Sequence, residues 1–163
     1  MPIFMQYDGI KGQVKAPGFE GWIELNSCQM GVHRNVTTSS GHGGNREAST
    51  PSVSEIVVTK DQDAASSDLF KASLAGEGKK ATISFVKTST DGKKYEKYLT
   101  IELENTLISS YNLSGHGGAA GSNPMESLSL NFTKITYTMT VSDEKNKVGT
   151  PSKASWDMQK GTH

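Results

Sequence analysis

The sequence predicts an all-β protein, mainly antiparallel, built as a compact β-barrel or sandwich with one short flanking α-helix. Three observations carry this. Apolar residues alternate with polar ones at period two over most of the chain, the signature of strands with one buried face. Asp8-Gly9 and Asp91-Gly92 supply turn dipeptides between such runs. Only one segment, near residue 70, has helical spacing with plausible ends.

In chain order, Ile3-Phe4-Met5-Gln6-Tyr7 opens as a strand and Asp8-Gly9 turns it. Lys15-Ala16-Pro17-Gly18 marks a loop. Trp22 to Met30 reads as a strand, with Ile23, Leu25, Ser27 and Gln29 on one face and Cys28 on the other. Val53 to Lys60 reads as the next. Ser66 to Gly76 is the helix, with Ser and Asp as capping candidates, Leu69, Phe70 and Leu74 as its apolar residues, and Gly76 as a stop.

Strands resume at Ala81 to Phe85. Tyr95, Leu99, Ile101, Leu103, Leu107 and Tyr111 then share odd positions in a run long enough to bend and serve two sheets. Leu128, Leu130 and Phe132 are even whereas Ile135, Tyr137 and Met139 are odd, which predicts a β-bulge near Thr133-Lys134 or burial on both faces. A last strand covers Ala154 to Met158. Roughly seven to nine strands and one helix result.

A length of 163 residues fits a single domain, 1–163. The 17 basic and 17 acidic side chains cancel, so no cationic excess is available for phosphates and nucleic acid is a poor partner. Near-zero net charge also permits close self-association. No run approaches the ~20 apolar residues of a membrane span, and the amino terminus lacks the features of a signal peptide. Cys28 is the only cysteine, which excludes an internal disulfide and fits a chain folded in the cytoplasm.

Candidate chemistry is sparse. Gly41-His42-Gly43-Gly44 and Gly115-His116-Gly117-Gly118 repeat one tetrapeptide in two glycine-rich connections. Two histidines without neighbouring Cys, Asp or Glu ligands are too few for a zinc site, so plain loops are the better reading. Neither loop has the Lys-Ser/Thr ending of a phosphate-binding loop. Asp61-Gln62-Asp63 begins like a calcium loop, but Ser66 and Ala72 stand where Gly and Glu are required. No Gly-x-Ser-x-Gly elbow is present, and Cys28 in mid-strand reads as a small buried hydrophobe. The expectation is no enzyme activity, no cofactor and no metal.

Asn123-Pro124-Met125-Glu126-Ser127-Leu128-Ser129-Leu130-Asn131-Phe132-Thr133-Lys134-Ile135 resembles the strand motif of the Hcp (haemolysin-coregulated protein) family of type VI secretion. Val58-Thr59-Lys60-Asp61-Gln62-Asp63 with Ser66-Ser67-Asp68-Leu69-Phe70 resembles that family's passage from strand to helix. Ile10-Lys11-Gly12, Ser155-Trp156-Asp157 and the run from Tyr98 to Ser110 extend the likeness over essentially the whole chain.

The resemblance implies a tube subunit related to phage tail-tube proteins. It implies homohexameric rings with a wide pore, stacked into a tube, with spike protein, contractile sheath and small effectors as partners. It further implies export to the extracellular space or a target cell without a signal peptide. Within that frame Gly41, His42, Gly43, Gly44 and Asn45 are the expected ring-stacking loop, and Ser27 and Gln29 the expected pore-lining positions. A carbohydrate-binding β-sandwich and a small β-barrel hydrolase are the rival readings. Trp22 and Trp156 are the only tryptophans for a glycan platform, and both fall inside strand patterns.

Overall fold

The computed structural model describes residues 1–37, 47–89, 92–118, 121–141 and 149–163. Its strands are β1 (Ile3–Tyr7), β2 (Ile23–Leu25), β3 (Ser27–Gln29), β4 (Val32–His33), β5 (Val36–Thr37), β6 (Glu47–Ala48), β7 (Ser52–Val53) and β8 (Ile56–Asp61). After helix α1 (Ser66–Leu74) come β9 (Lys79–Thr88), β10 (Tyr95–Ser114), β11 (Met125–Asn131), β12 (Lys134–Met139) and β13 (Ser152–Asp157). The all-β architecture with one short helix is as the sequence predicts, and every strand pairing is antiparallel.

Nine strands follow the path β2-β1-β9-β10-β11-β8-β3, with β12 against β10 and β13 on β12. The ladder is not a closed barrel. Its two ends, β2 and β3, are successive pieces of one chain run interrupted at Asn26, whose N–H donates to the Thr59 carbonyl at 2.7 Å. There the chain exchanges one partner, β1, for another, β8. The predicted single strand from Trp22 to Met30 is therefore two short ones, and the change of partner flips its faces.

The long predicted strand is β10, and it does serve two sheets. Its first half lies between β9 and β12; its second half pairs with β11. The corner is Asn105, with φ of 52°, where the pairing register shifts between Leu103 and Thr106. Ile101 and Leu103 are buried before the corner, Thr106 and Ile108 after it, so the expected odd face does not continue through Leu107, which is 41% exposed. A second register shift between Ile108 and Ser110 returns Tyr111 to the core side.

The chain opposite turns the same corner. β11 ends at Asn131, and Thr133 donates its N–H to the Glu104 carbonyl at 3.1 Å before β12 begins. The switch from Leu128, Leu130 and Phe132 to Ile135 is thus a break between two strands and not a bulge within one.

Both sheets bury their inner faces in one core. A cross-strand row of Ile23, Met5, Ile83, Ile101 and Tyr137 spans the first sheet, and Val58, Leu128 and Tyr111 span the second. α1 contributes Leu69, fully buried. Phe70 and Leu74 are instead exposed, because a helix on the rim of a sandwich needs only a narrow stripe inward. The helix starts without a side-chain cap at Ala65. The Asp63 carboxylate accepts the Ala65 N–H at 2.9 Å, and Ser66 Oγ accepts the Asp63 N–H at 2.9 Å.

A smaller cluster of Phe4, Phe19, Trp22 and Val86 covers the outer face of the first sheet. Lys97 Nζ lies 5.3 Å from the ring centroids of both Phe19 and Trp22, a cation–π arrangement.

Candidate functional surface

The outer face of the second sheet is unusual in its chemistry. Ser27 and Gln29 on β3 stand beside Thr59 and Val57 on β8; these stand beside Ser127 and Ser129 on β11, which face Asn112 and Ser110 on β10. Strand alternation puts these eight residues on the side opposite Cys28, Val58, Leu128 and Leu130. Apart from Val57 all are polar, and none is charged. Ser27 and Thr59 share a hydroxyl–hydroxyl bond of 2.5 Å, and Ser110 donates to Ser129 at 2.8 Å. These two pairs turn four hydroxyls toward one another across the sheet and leave a polar surface.

Carboxylates appear only at its margins. Glu55 accepts Ser109 Oγ at 2.8 Å and Asn131 Nδ2 at 3.1 Å, and Asp61 accepts Asn26 Nδ2 at 2.9 Å. Both carboxylates are thereby turned into hydrogen bonds along the rim.

Beneath the same strands lies a buried charge cluster that sequence reasoning missed. Lys60 Nζ is enclosed and meets Glu126 Oε2 at 2.7 Å and Asp63 Oδ1 at 2.9 Å. Tyr111 Oη donates to Glu126 Oε1 at 2.6 Å. Burial alone would raise the Glu126 pKa, yet hydrogen bonds from Lys60, Tyr111 and Ser66 and the Lys60 charge outweigh it, and the carboxyl is held below its usual range. Tyr111 is pushed the other way, by burial first and then by the Glu126 carboxylate. A signal for this cluster does exist in the sequence. Lys60 falls on the parity of Ile56 and Val58, and Glu126 on that of Leu128 and Leu130, so opposite charges occupy two core-facing positions.

The structure separates the sequence-predicted site residues. Ser27 is half-buried and Gln29 exposed, on the polar face. They do not continue the face of Ile23 and Leu25, as the unbroken alternation predicts, because the partner exchange at Asn26 reverses the parity. Cys28 accordingly packs against the core, and burial pushes its thiol up to about 11. Gly41, His42, Gly43, Gly44 and Asn45 lie outside the described residues. The pairs β4–β7 and β5–β6 are two-stranded ribbons on either side of that segment, outside the main sheet. Among the described residues no three His, Cys, Asp or Glu side chains gather in a metal-binding arrangement. No helix is long and apolar enough to cross a membrane.

The fold is thus an open-edged antiparallel sandwich with a rim helix and a polar outer face on its second sheet. The family model described as "Type VI secretion system effector, Hcp" matches residues 4–139, and the chain belongs to that family, the tube proteins of type VI secretion. No curated protein sequence matches it significantly. Among solved structures it is similar to one described as a type six secretion system protein, at TM-score 0.88 and 21% identity over 99% of this chain and 98% of that one. Hcp1 from Salmonella typhimurium follows at TM-score 0.76 and 22% identity, over 98% of this chain and 95% of that one. A mutant Hcp1 from E. coli EAEC 042 gives TM-score 0.72 and 24% identity, over 97% of this chain and 99% of that one. At such identities these likenesses speak for the fold; membership rests on the family match.

Proposed function

We propose that the chain is a structural subunit of the type VI inner tube, acting as one domain over residues 1–163. Six copies form a ring, rings stack into a tube, and the tube is exported with small effectors carried in its pore. The observation that carries this reading is the uncharged polar face of the second sheet, with Ser27 and Gln29 at its β3 edge. A conduit wall must offer hydrogen bonding without traps, and the middle of this face is Ser, Thr, Asn and Gln around Val57, with Asp61, Met125 and Leu107 only at its ends. Family membership supplies the context, and the edge position of β13, which pairs only with β12 among the described residues, leaves backbone groups for a neighbouring sheet. A contact between unlike surfaces closes into a ring when its rotation divides a full turn.

The subunit is made and folded in the cytoplasm and is then exported, with spike protein, sheath and effectors as partners. The segment Gly41 to Asn45 helps one ring dock on the next. Size-exclusion chromatography with light scattering tests the core of this reading, with a hexamer as the expected mass. A monomer that retains glycans would instead support the binding-module reading. Deleting Gly41 to Asn45 should leave the ring intact and reduce tube formation seen by electron microscopy. Loss of the ring itself would place that loop in the subunit seam.

A further inference from the structure

The Lys60 cluster ties five segments together. From β8, Lys60 Nζ donates to the Asp61 carbonyl at 2.8 Å, to Ser66 Oγ on α1 at 3.3 Å and to Glu126 Oε2 on β11 at 2.7 Å, and it pairs with Asp63 Oδ1 at 2.9 Å. Tyr111 on β10 closes the ring of contacts through the second Glu126 oxygen. An ammonium has three protons, and here four acceptors surround it, so nothing remains for water. One cation meets two carboxylates, and the positive end of α1 adds partial charge through the Ala65 N–H on Asp63.

By contrast, the apolar attachment of α1 is thin. Of its nine residues only Ser66 and Leu69 are buried, and Phe70 meets the Tyr111 ring at 5.4 Å from the exposed side. The sheets have their own large core, to which α1 contributes Leu69 and the partly buried Ala72. The helix therefore hangs on a polar cluster to a degree the sheets do not.

We propose that this cluster is an acid-operated latch on α1: proton uptake by Glu126 opens it and frees the helix while both sheets stay folded. The groups that face it are Lys60 from β8, Asp63 from the connection, Ser66 from α1, Tyr111 from β10 and Glu126 from β11. Asp61 turns its carboxylate away to Asn26, and Asp68 on the first helical turn is exposed. Protonating one carboxylate strips compensation from a buried ammonium, which is costly where water cannot replace it. The Glu126 carboxyl is held below its unfolded value. Its contribution is therefore present at neutral pH and is lost as pH falls below about 4.

The test uses the full chain and the Leu69-Phe70-Lys71 bonds as reporters. Chymotrypsin at about pH 7.5 should cut after Phe70 at least ~10-fold faster in Glu126→Gln than in wild type, because local opening governs cleavage. Pepsin at about pH 3 should reach the same segment in wild type, below the ordinary carboxyl pKa. The near-ultraviolet circular dichroism of Trp22 and Trp156, both away from the latch, should persist under both conditions. A Lys60→Met/Asp63→Asn/Glu126→Gln chain, with no charge left in the cluster, should lose the acid dependence, its helix no more open at about pH 3 than at about pH 7.5. Loss of the tryptophan signal together with the cut would show global unfolding and overturn the latch. So would a Glu126→Gln helix as protected as wild type. Should Glu126→Gln fail to fold, the triple variant decides: acid-dependent cleavage in it equal to wild type also overturns the proposal.

Discussion

Phe132 is 2% exposed and stands where β11 gives way to β12, with Leu128 and Leu130 completing its side of the core. Truncation to Ala opens a cavity that a corner pinned by the Thr133–Glu104 hydrogen bond cannot close. The expected cost is about 3–5 kcal/mol, a large share of the ~5–15 kcal/mol stability of a typical domain, read as a fall in melting temperature. Cys28→Ser should cost less, about 1–3 kcal/mol, since a hydroxyl replacing a core-facing thiol needs a partner. With the thiol pushed up to about 11, alkylation of the folded chain near neutral pH should be far slower than in denaturant. Equal labelling rates would contradict the packing of Cys28. Gly12→Ala belongs to the same scale. A Cβ there would collide with the Trp22 carbonyl, and neither backbone can yield without losing the Val14–Trp22 hydrogen bond. What the residues made legible was parity. Leu128, Leu130 and Phe132 announce a buried face, whereas Lys60 and Glu126 are 66 positions apart and meet only when β8 pairs with β11.

At the scale of elements, the sequence pattern and the structure part where two strands change partners. Asn26 and Asn105 are ordinary polar residues in sequence, and nothing local marks either as a break. Each is set by tertiary pairing, Asn26 by the move from β1 to β8 and Asn105 by the division of β10 between two sheets. Alternation survives within each half and inverts across the break, so unbroken alternation puts Ser27, Gln29 and Leu107 on the wrong face by one step. Asn105 also gives the element its sharpest test. Its φ of 52° lies in the left-handed region, which Asn tolerates and β-branched residues resist. Asn105→Gly should be nearly neutral in thermal melts, and Asn105→Val should cost about 1–2 kcal/mol or more. An equal effect of the two would mean that the Asn105 side chain against Gly78, and not its backbone, holds the corner.

For the whole molecule, what matters is which face has charge. The chain has 34 charged side chains of balanced sign, yet none falls among the eight residues at the centre of the second sheet's outer face, and Asp61 stands only at its end. If that face lines the pore, cargo is held by hydrogen bonds and shape, and salt should matter little. Retention of a co-purifying effector by the wild-type ring should then be similar at about 0.1 M and 1 M salt, although the screening length falls from about 10 Å to about 3 Å. Gln29→Arg places one positive charge per subunit on an exposed position of that face without touching the core. The ring should persist by light scattering, while retention becomes salt-dependent and favours acidic over basic cargo. Two outcomes would remove the polar face from the pore. One is wild-type retention that collapses in salt; the other is a Gln29→Arg ring whose cargo preference is unchanged. Either would move the conduit surface to the first sheet, whose outer face presents Lys80, Lys97 and Glu102 beside Trp22 and would hold cargo by charge.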